Sequence, residues 1–333
     1  MNYRAIAYTS QQALCLLFLL LTIGKEILMS RNYRNRSPDH KSRKERIKEI
    51  TEQLEEGVKA VFESDAYKAY LKCMSKFHNY SLNNTLLIAL QRPDASLCAS
   101  YTSWQKDHGR QVRKGEKGIK IIAPCKYKIE LEEKDESGRP KIKERVGFKV
   151  VTTFDISQTD GPELPTIGVD ELTGNVNGFK NVFNALTEIC PVPIYVEDIR
   201  DGAKGYYSDA ERKIVIKSEM SQMQTIKTII HEMAHEKLHA KDNLDRDHPV
   251  DRRTKEVEAE SIAYTICQHY GLDSSDYSFS YIAGWSSDKE TKELKASLER
   301  IRSAANEMIT AIDKSLEKQT KRKQNRASRD EAR

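Results

Sequence analysis

Residues 221–240 read SQMQTIKTIIHEMAHEKLHA. Ser221 and Gln224 stand at the S-x-x-Q spacing of a capping box, which starts a helix. Met223, Ile226, Ile230 and Met233 then recur every three or four residues, so one face of that helix is expected in a core. The same helix carries His231-Glu232-Met233-Ala234-His235, an H-E-x-x-H pattern. Residues four apart share a helical face, so the imidazoles of His231 and His235 can meet one ion. Glu232 stands beside them, close enough to hold a water without binding the metal, which is the place of a general base. A solvated helix with two surface histidines gives the same five-residue pattern. His239 follows one turn later on roughly the same side, as a supporting or substrate-facing group or as a packed histidine.

The next helical stretch tells in favour of a metal site. It carries Glu256, Glu258 and Glu260, which follow His235 by 21, 23 and 25 residues. Glu256 and Glu260 are four apart and share a face, while Glu258 points away. Two carboxylates on one face suit one ligand and one partner that orients a histidine. Ile262, Ala263 and Ile266 give the helix an apolar flank. Two histidines, one glutamate and an open position make a catalytic arrangement, where a structural zinc would be closed. Zinc is the expected ion, with Mn2+ or another divalent cation as the alternative. It would polarise a peptide carbonyl and acidify water, with Glu232 moving the proton to the leaving amine.

Working outward, Gly178–Ile189 reads as a helix and Ile194-Tyr195-Val196 as a strand. Tyr206-Tyr207 and Ile214-Val215-Ile216 read as a hairpin around Ser208–Arg212. Earlier in the chain, Ile47, Ile50, Leu54, Val58, Val61 and Phe62 keep helical spacing. Tyr67–Phe77 predicts a second helix, and Ser81 caps a third that Pro93 stops. The period then changes to two. Ile119–Ile122 forms a short strand ending at Pro124, Tyr127–Leu131 another, and Val146–Phe154 a third, with a charged tip over Glu132–Lys143. The fold class is α+β in two domains. The expected boundaries are 1–45 for an apolar segment and a disordered basic stretch, 46–157 for the first domain, and 158–176 for a Pro/Gly-bearing linker. A metallopeptidase domain follows at 177–285, then a helical and finally disordered basic tail at 286–333.

The 333 residues hold 38% hydrophobic and 32% charged side chains, a soluble composition with room for two cores. Six scattered cysteines without a C-x-x-C pair exclude a disulfide scaffold or a zinc ribbon, and fit reduced thiols in the cytoplasm. Ala13–Ile23 is an apolar run of eleven residues, short of the roughly 20 that a membrane span needs. It reads as sequence upstream of a true start at Met29, as a membrane anchor, or as a secretion signal with only Arg4 before it.

Between Tyr101 and Lys128, eight Lys and Arg face two acids, a net of +6, where the whole chain carries +5. The positive charge is therefore concentrated there. Arg110, Arg113, Lys114, Lys117 and Lys120 surround Gly109, Gly115 and Gly118, with Trp104 just ahead and Tyr80 earlier. Cations neutralise phosphates, glycines permit close approach, and aromatics stack on unpaired bases, a combination that favours single-stranded nucleic acid. A basic hairpin over a buried Trp104 has the same composition.

Two resemblances bear on these open points. The helix HEMAHEKLH, the later E-x-E-A-E and the hairpin GYYSDAERKIVIK resemble zincin-like peptidases of the ImmA/IrrE type. That resemblance implies His231, His235 and Glu256 as ligands, Glu232 as the base, and Glu260 as the supporting acid. YSLNNTLLIALQRPDAS, SYTSWQKDHGRQVRKGEKGIKIIAP and FKVVTTFDISQT resemble the N-terminal domain of ArdC-type antirestriction proteins, also related to plasmid TraC primases. This implies a single-stranded-DNA-binding domain ahead of a metallopeptidase, on a mobile element, acting in conjugative transfer or antirestriction on an unknown protein substrate. The alternative is a DNA-binding protein with a structural or regulatory metal site. Membrane contact is expected only through residues 13–23.

Overall fold

Capped helices and one long hairpin make up most of the ordered chain. The structure is a computed structural model, and it describes residues 42–134, 140–164, 176–200, 202–243, 250–272 and 279–331. The chain divides into two units, Met1–Arg46 and Ile47–Arg333. In the first, Ser42 accepts the Glu45 amide N–H and donates its own N–H to the Glu45 carboxylate. The apolar run at 13–23 lies outside the described residues. No described helix is long and apolar enough to cross a membrane.

The second unit holds the three early helices, α1 (Arg43–Val61, begun in the first unit), α2 (Ser64–Lys76) and α3 (Leu82–Gln91). Ser81 caps α3 by accepting from the Asn84 amide, as its sequence predicts. A short strand β1 (Cys98–Ser100), helix α4 (Tyr101–Lys106) and strand β2 (Gln111–Val112) follow. Strands β3 (Ile119–Lys134) and β4 (Pro140–Asp155) form one antiparallel ribbon, with β4 central in the order β1-β4-β3. The sequence led us to expect two strands broken at Pro124. Instead β3 runs straight through it, with Pro124 opposite Phe148. β3 is an edge strand, where a missing N–H costs no ladder bond on the open side. The Ser137-Gly138 tip lies outside the described residues.

Two amides seven residues apart on α3 cover that open edge. Asn84 exchanges both hydrogen bonds with the Ile122 backbone, and Gln91 does the same with Lys120. They occupy the place of a neighbouring strand and so protect the edge. β2 pairs with β5 (Thr159–Asp160) just past this sheet.

Helix α5 (Val176–Ile189) precedes β6 (Ile194–Glu197), β7 (Gly205–Ser208) and β8 (Lys213–Lys217). The expected hairpin forms between β7 and β8, while β6 joins β8 in parallel, so the sheet is mixed. The HExxH helix is α6 (Gln222–His239), and the glutamate helix is α7 (Arg252–His269). Ser221 caps α6 through the Gln224 amide, but the Gln224 side chain turns to Lys204 and Thr228, so the box is half made. A short α8 (Ile282–Ser286) leads into α9 (Thr291–Glu331).

The end of the 286–333 tail, expected to be disordered, is instead helical to Glu331. Ser315 is buried and Leu316 packs on the core, so that helix keeps an inner face beyond Ile312. The α2 helix shares this core: Tyr67, Leu71 and Met74 lie in one apolar cluster with Ile262, Tyr264, Leu298 and Ile301. The Tyr67 hydroxyl bonds Ser261 at 2.7 Å inside it. A smaller cluster of Cys73, Phe77, Ile88, Cys98, Ile119 and Ile121 ties α2 and α3 to the ribbon. No disulfide joins the described cysteines.

Candidate metal centre and nucleic-acid interface

α6 is anchored by Ile226, Ile229, Ile230 and Met233, all buried. That fixes the opposite turn of His231 and His235 toward α7. Their Nε2 atoms lie 3.1 Å apart. The Glu256 Oε2 is 3.6 Å from each. Ligands at roughly 2.0–2.1 Å from a tetrahedral ion sit about 3.3 Å from one another, so the triangle has the size of three first ligands. Among the described residues, these three are the group able to hold a metal ion.

Glu260 stands one turn along α7. Its Oε2 is 3.3 Å from the His231 Nδ1, the nitrogen that faces away from the triangle. Lys227 lies 3.8 Å from its other oxygen. The face-sharing pair on α7 therefore splits into one carboxylate at the triangle and one behind a histidine.

Glu232 is buried beside the pair. Burial raises its pKa, opposed by the nearby His231 and His235 imidazoles and by the Tyr207 backbone N–H. A carboxylate held this way binds a proton more readily than a free one, as a proton acceptor must. Burial alone would lower His231, but the Glu256 and Glu260 carboxylates outweigh it and lift it to about 9 in the metal-free chain. Glu256 is pushed well below the usual carboxylate range by His231 and His235. Tyr281, just before α8, is raised to about 12 by burial and then by Glu260 and Glu256. Nothing in its sequence context singled it out.

Glu258 does lie on the other side of α7, as its spacing predicts. What the sequence missed is its company. It is fully buried, 3.1 Å from His239 and bonded to Arg300 and Ser297 of α9. No local spacing joins residue 258 to residue 300.

The basic segment is arranged differently. The structure corrects the stacking role expected of Trp104: the indole has 0% exposure and donates to the Phe154 carbonyl. The indole is the largest fully buried side chain and fills the space under α4. Arg110 is spent on a loop, donating to the Thr159 hydroxyl and to the Thr159, Gly161 and Pro162 carbonyls. Arg113 is ion-paired with Glu116 and Asp160 and donates to the Ser157 carbonyl. Tyr80 is half-buried, edge-on to Phe77 and bonded to the Cys98 carbonyl. Lys114, Lys117 and Lys120 remain exposed.

Tyr101 is 47% exposed and meets Phe154 edge-on at 6.3 Å. The two rings line an open cleft of about 840 Å³ with Gln111, Arg113 and Lys114. Gly118 lets Thr152 and Phe154 pack close to the backbone, since a Cβ there would strike both. Tyr101, rather than Trp104, reaches the surface, as do Tyr127 and Phe148 on the ribbon.

Comparison with known proteins agrees with this division. Residues 40–154 match the family described as the N-terminal domain of anti-restriction factor ArdC. Residues 192–270 match the IrrE N-terminal-like domain. An uncharacterized Bacillus anthracis protein, pXO2-81, is 31% identical over 324 residues, covering 85% of this chain and 54% of that one. The chain thus spans about half the length of that relative. Two crystal structures of the antirestriction ArdC protein from plasmid R388 are also similar. The metal-free one is 24% identical, covers 72% of this chain and 84% of that one, with a TM-score of 0.42. The Mn(II)-bound one is 21% identical, covers 81% and 97%, with a TM-score of 0.48.

Proposed function

The chain carries an ArdC-type N-terminal domain ahead of an IrrE-like domain, and from this we propose a single-stranded-DNA-binding metallopeptidase that acts in antirestriction or conjugative transfer. The observation that carries the reading is the triangle of His231, His235 and Glu256 with Glu232 buried beside it. His231, His235 and Glu256 would hold a divalent ion, zinc by the two-histidine, one-glutamate donor set. That ion supplies Lewis acidity to a peptide carbonyl and acidifies water. Glu232 accepts the proton of the attacking water and delivers it to the leaving amine. Glu260 holds the ring of His231 in place from behind. Tyr101 offers a stacking surface, and Lys114, Lys117 and Lys120 offer charge to the phosphate backbone. The substrate would then be a protein met near single-stranded DNA in the cytoplasm.

The test compares Glu232→Gln with the unaltered protein for bound metal, cleavage of candidate proteins and binding to an oligonucleotide. The proposal expects metal and DNA binding kept and cleavage lost. Stoichiometric metal with no cleavage of any candidate by the unaltered protein would favour a structural or regulatory metal instead.

A further inference from the structure

His231 and His235 are not supported alike. His231 has a carboxylate directly behind it, the Glu260 Oε2 at 3.3 Å from Nδ1. Behind the Nδ1 of His235 stands another imidazole, the Nδ1 of His239 at 3.0 Å. The far nitrogen of His239, Nε2, is 3.1 Å from the Oε2 of Glu258. The other oxygen of Glu258 accepts from Ser297 Oγ at 2.7 Å and from Arg300 Nε and Nη2 at 2.9 and 2.5 Å. Side chains of three helices thus form one chain of hydrogen bonds that ends at a fully buried carboxylate.

The proton positions follow from the ends of that chain. To bind through Nε2, His235 must keep a lone pair there, so its hydrogen is on Nδ1. His239 then accepts at Nδ1 and must carry its own hydrogen on Nε2, pointing at Glu258. Glu258 is held ionised by the Arg300 guanidinium and accepts on both oxygens. With both rings neutral, no other tautomer assignment satisfies every contact. Glu258 is wholly buried while its Arg300 partner keeps 37% exposure, so the carboxylate's desolvation is offset by His239, Ser297 and Arg300 together.

We propose that His239 and Glu258, backed by Arg300 and Ser297, form a positioning relay that fixes the tautomer and ring plane of His235. The metal centre is then completed by α9, a helix beyond residue 270, where the similarity to the IrrE-like domain ends. The inference rests on the reading of His235 as a ligand.

The test uses the full chain with Co2+ as the probe, followed by visible absorption and by competition with a chromophoric chelator. His239→Leu and Glu258→Gln are expected to weaken Co2+ binding about 10- to 100-fold and to change the absorption bands. His239→Asn, whose amide oxygen can accept from His235 Nδ1, is expected to recover part of the loss. Ser261→Ala removes a buried hydrogen bond of the same helix and should lower the melting temperature while leaving Co2+ affinity unchanged. If Glu258→Gln fails to fold with Arg300 unpaired, Glu258→Gln/Arg300→Met removes both charges and should still bind Co2+ weakly. Folded relay variants with unaltered affinity and spectrum would overturn the relay while leaving the metal reading intact. An unaltered protein that takes up no Co2+ would overturn both.

Discussion

The metal centre and the basic segment begin from similar sequence signals and end in different structures. At the centre the side chains converge: His231, His235 and Glu256 form one triangle, and Glu260 and His239 stand behind the two rings. In the basic segment, the expected residues scatter. Trp104 goes to the core, Arg110 and Arg113 to a loop, and three lysines to solvent. The difference lies in how geometry is encoded. A four-residue spacing on a helix fixes direction before any tertiary contact forms. A cluster of cations and aromatics fixes composition, and leaves direction to turns and strand pairing.

The contrast breaks most directly at Glu232, the proposed base. Glu232→Gln should reduce proteolysis by roughly 10²- to 10⁴-fold with metal content unchanged. In a peptide-cleavage assay, retained activity would remove Glu232 from the chemistry and require another proton acceptor.

Trp104 and Tyr101 offer the next comparison. Trp104→Ala should cost about 3–5 kcal/mol of stability, because it empties a filled core position. Tyr101→Ala should leave the melting temperature nearly unchanged and weaken binding to single strands by about 1–3 kcal/mol, the worth of one stacked base. A fluorescence titration giving the opposite order would return the stacking role to Trp104.

If His231 is a ligand, metal and protons compete for it. Its pKa is raised to about 9 in the folded metal-free chain, so protonated His231 adds stability below its unfolded value of about 6.5. That contribution fades as pH rises through about 9. Metal-free protein should therefore lose up to about 3 kcal/mol between pH 6 and 10, and metal affinity should rise over the same range. A metal-free melting temperature that climbs with pH would contradict the ion-paired histidine.

The smallest effects lie among the cations. Lys114→Ala should lower the slope of log affinity against log salt by about one. Arg113→Ala should change that slope less and stability more, since its guanidinium holds Glu116 and Asp160.

What was legible in the sequence follows the same division. The Ser81 cap and the β7–β8 hairpin depend on near neighbours and formed as read. Ser221 caps α6 without the Gln224 return bond, and the α6 core stripe holds Ile226, Ile230 and Met233 but leaves Met223 half-buried. Pro124 misled because its effect depends on whether β3 is an edge strand, and that is settled only by the order β1-β4-β3. The end of the tail departs from its reading because its charged residues mask the inner face of Ser315 and Leu316. Glu258 points away from the triangle, as its spacing predicts. Its partners, His239 and Arg300, lie 19 and 42 residues distant, beyond any local pattern.

Titration of zinc into Glu256→Ala and Glu260→Ala separates the roles of the two carboxylates on α7. Glu256→Ala is expected to lose tight binding, while Glu260→Ala weakens it by only about 10- to 100-fold. Tight binding kept by Glu256→Ala and lost by Glu260→Ala would reverse the two roles and contradict the assignment.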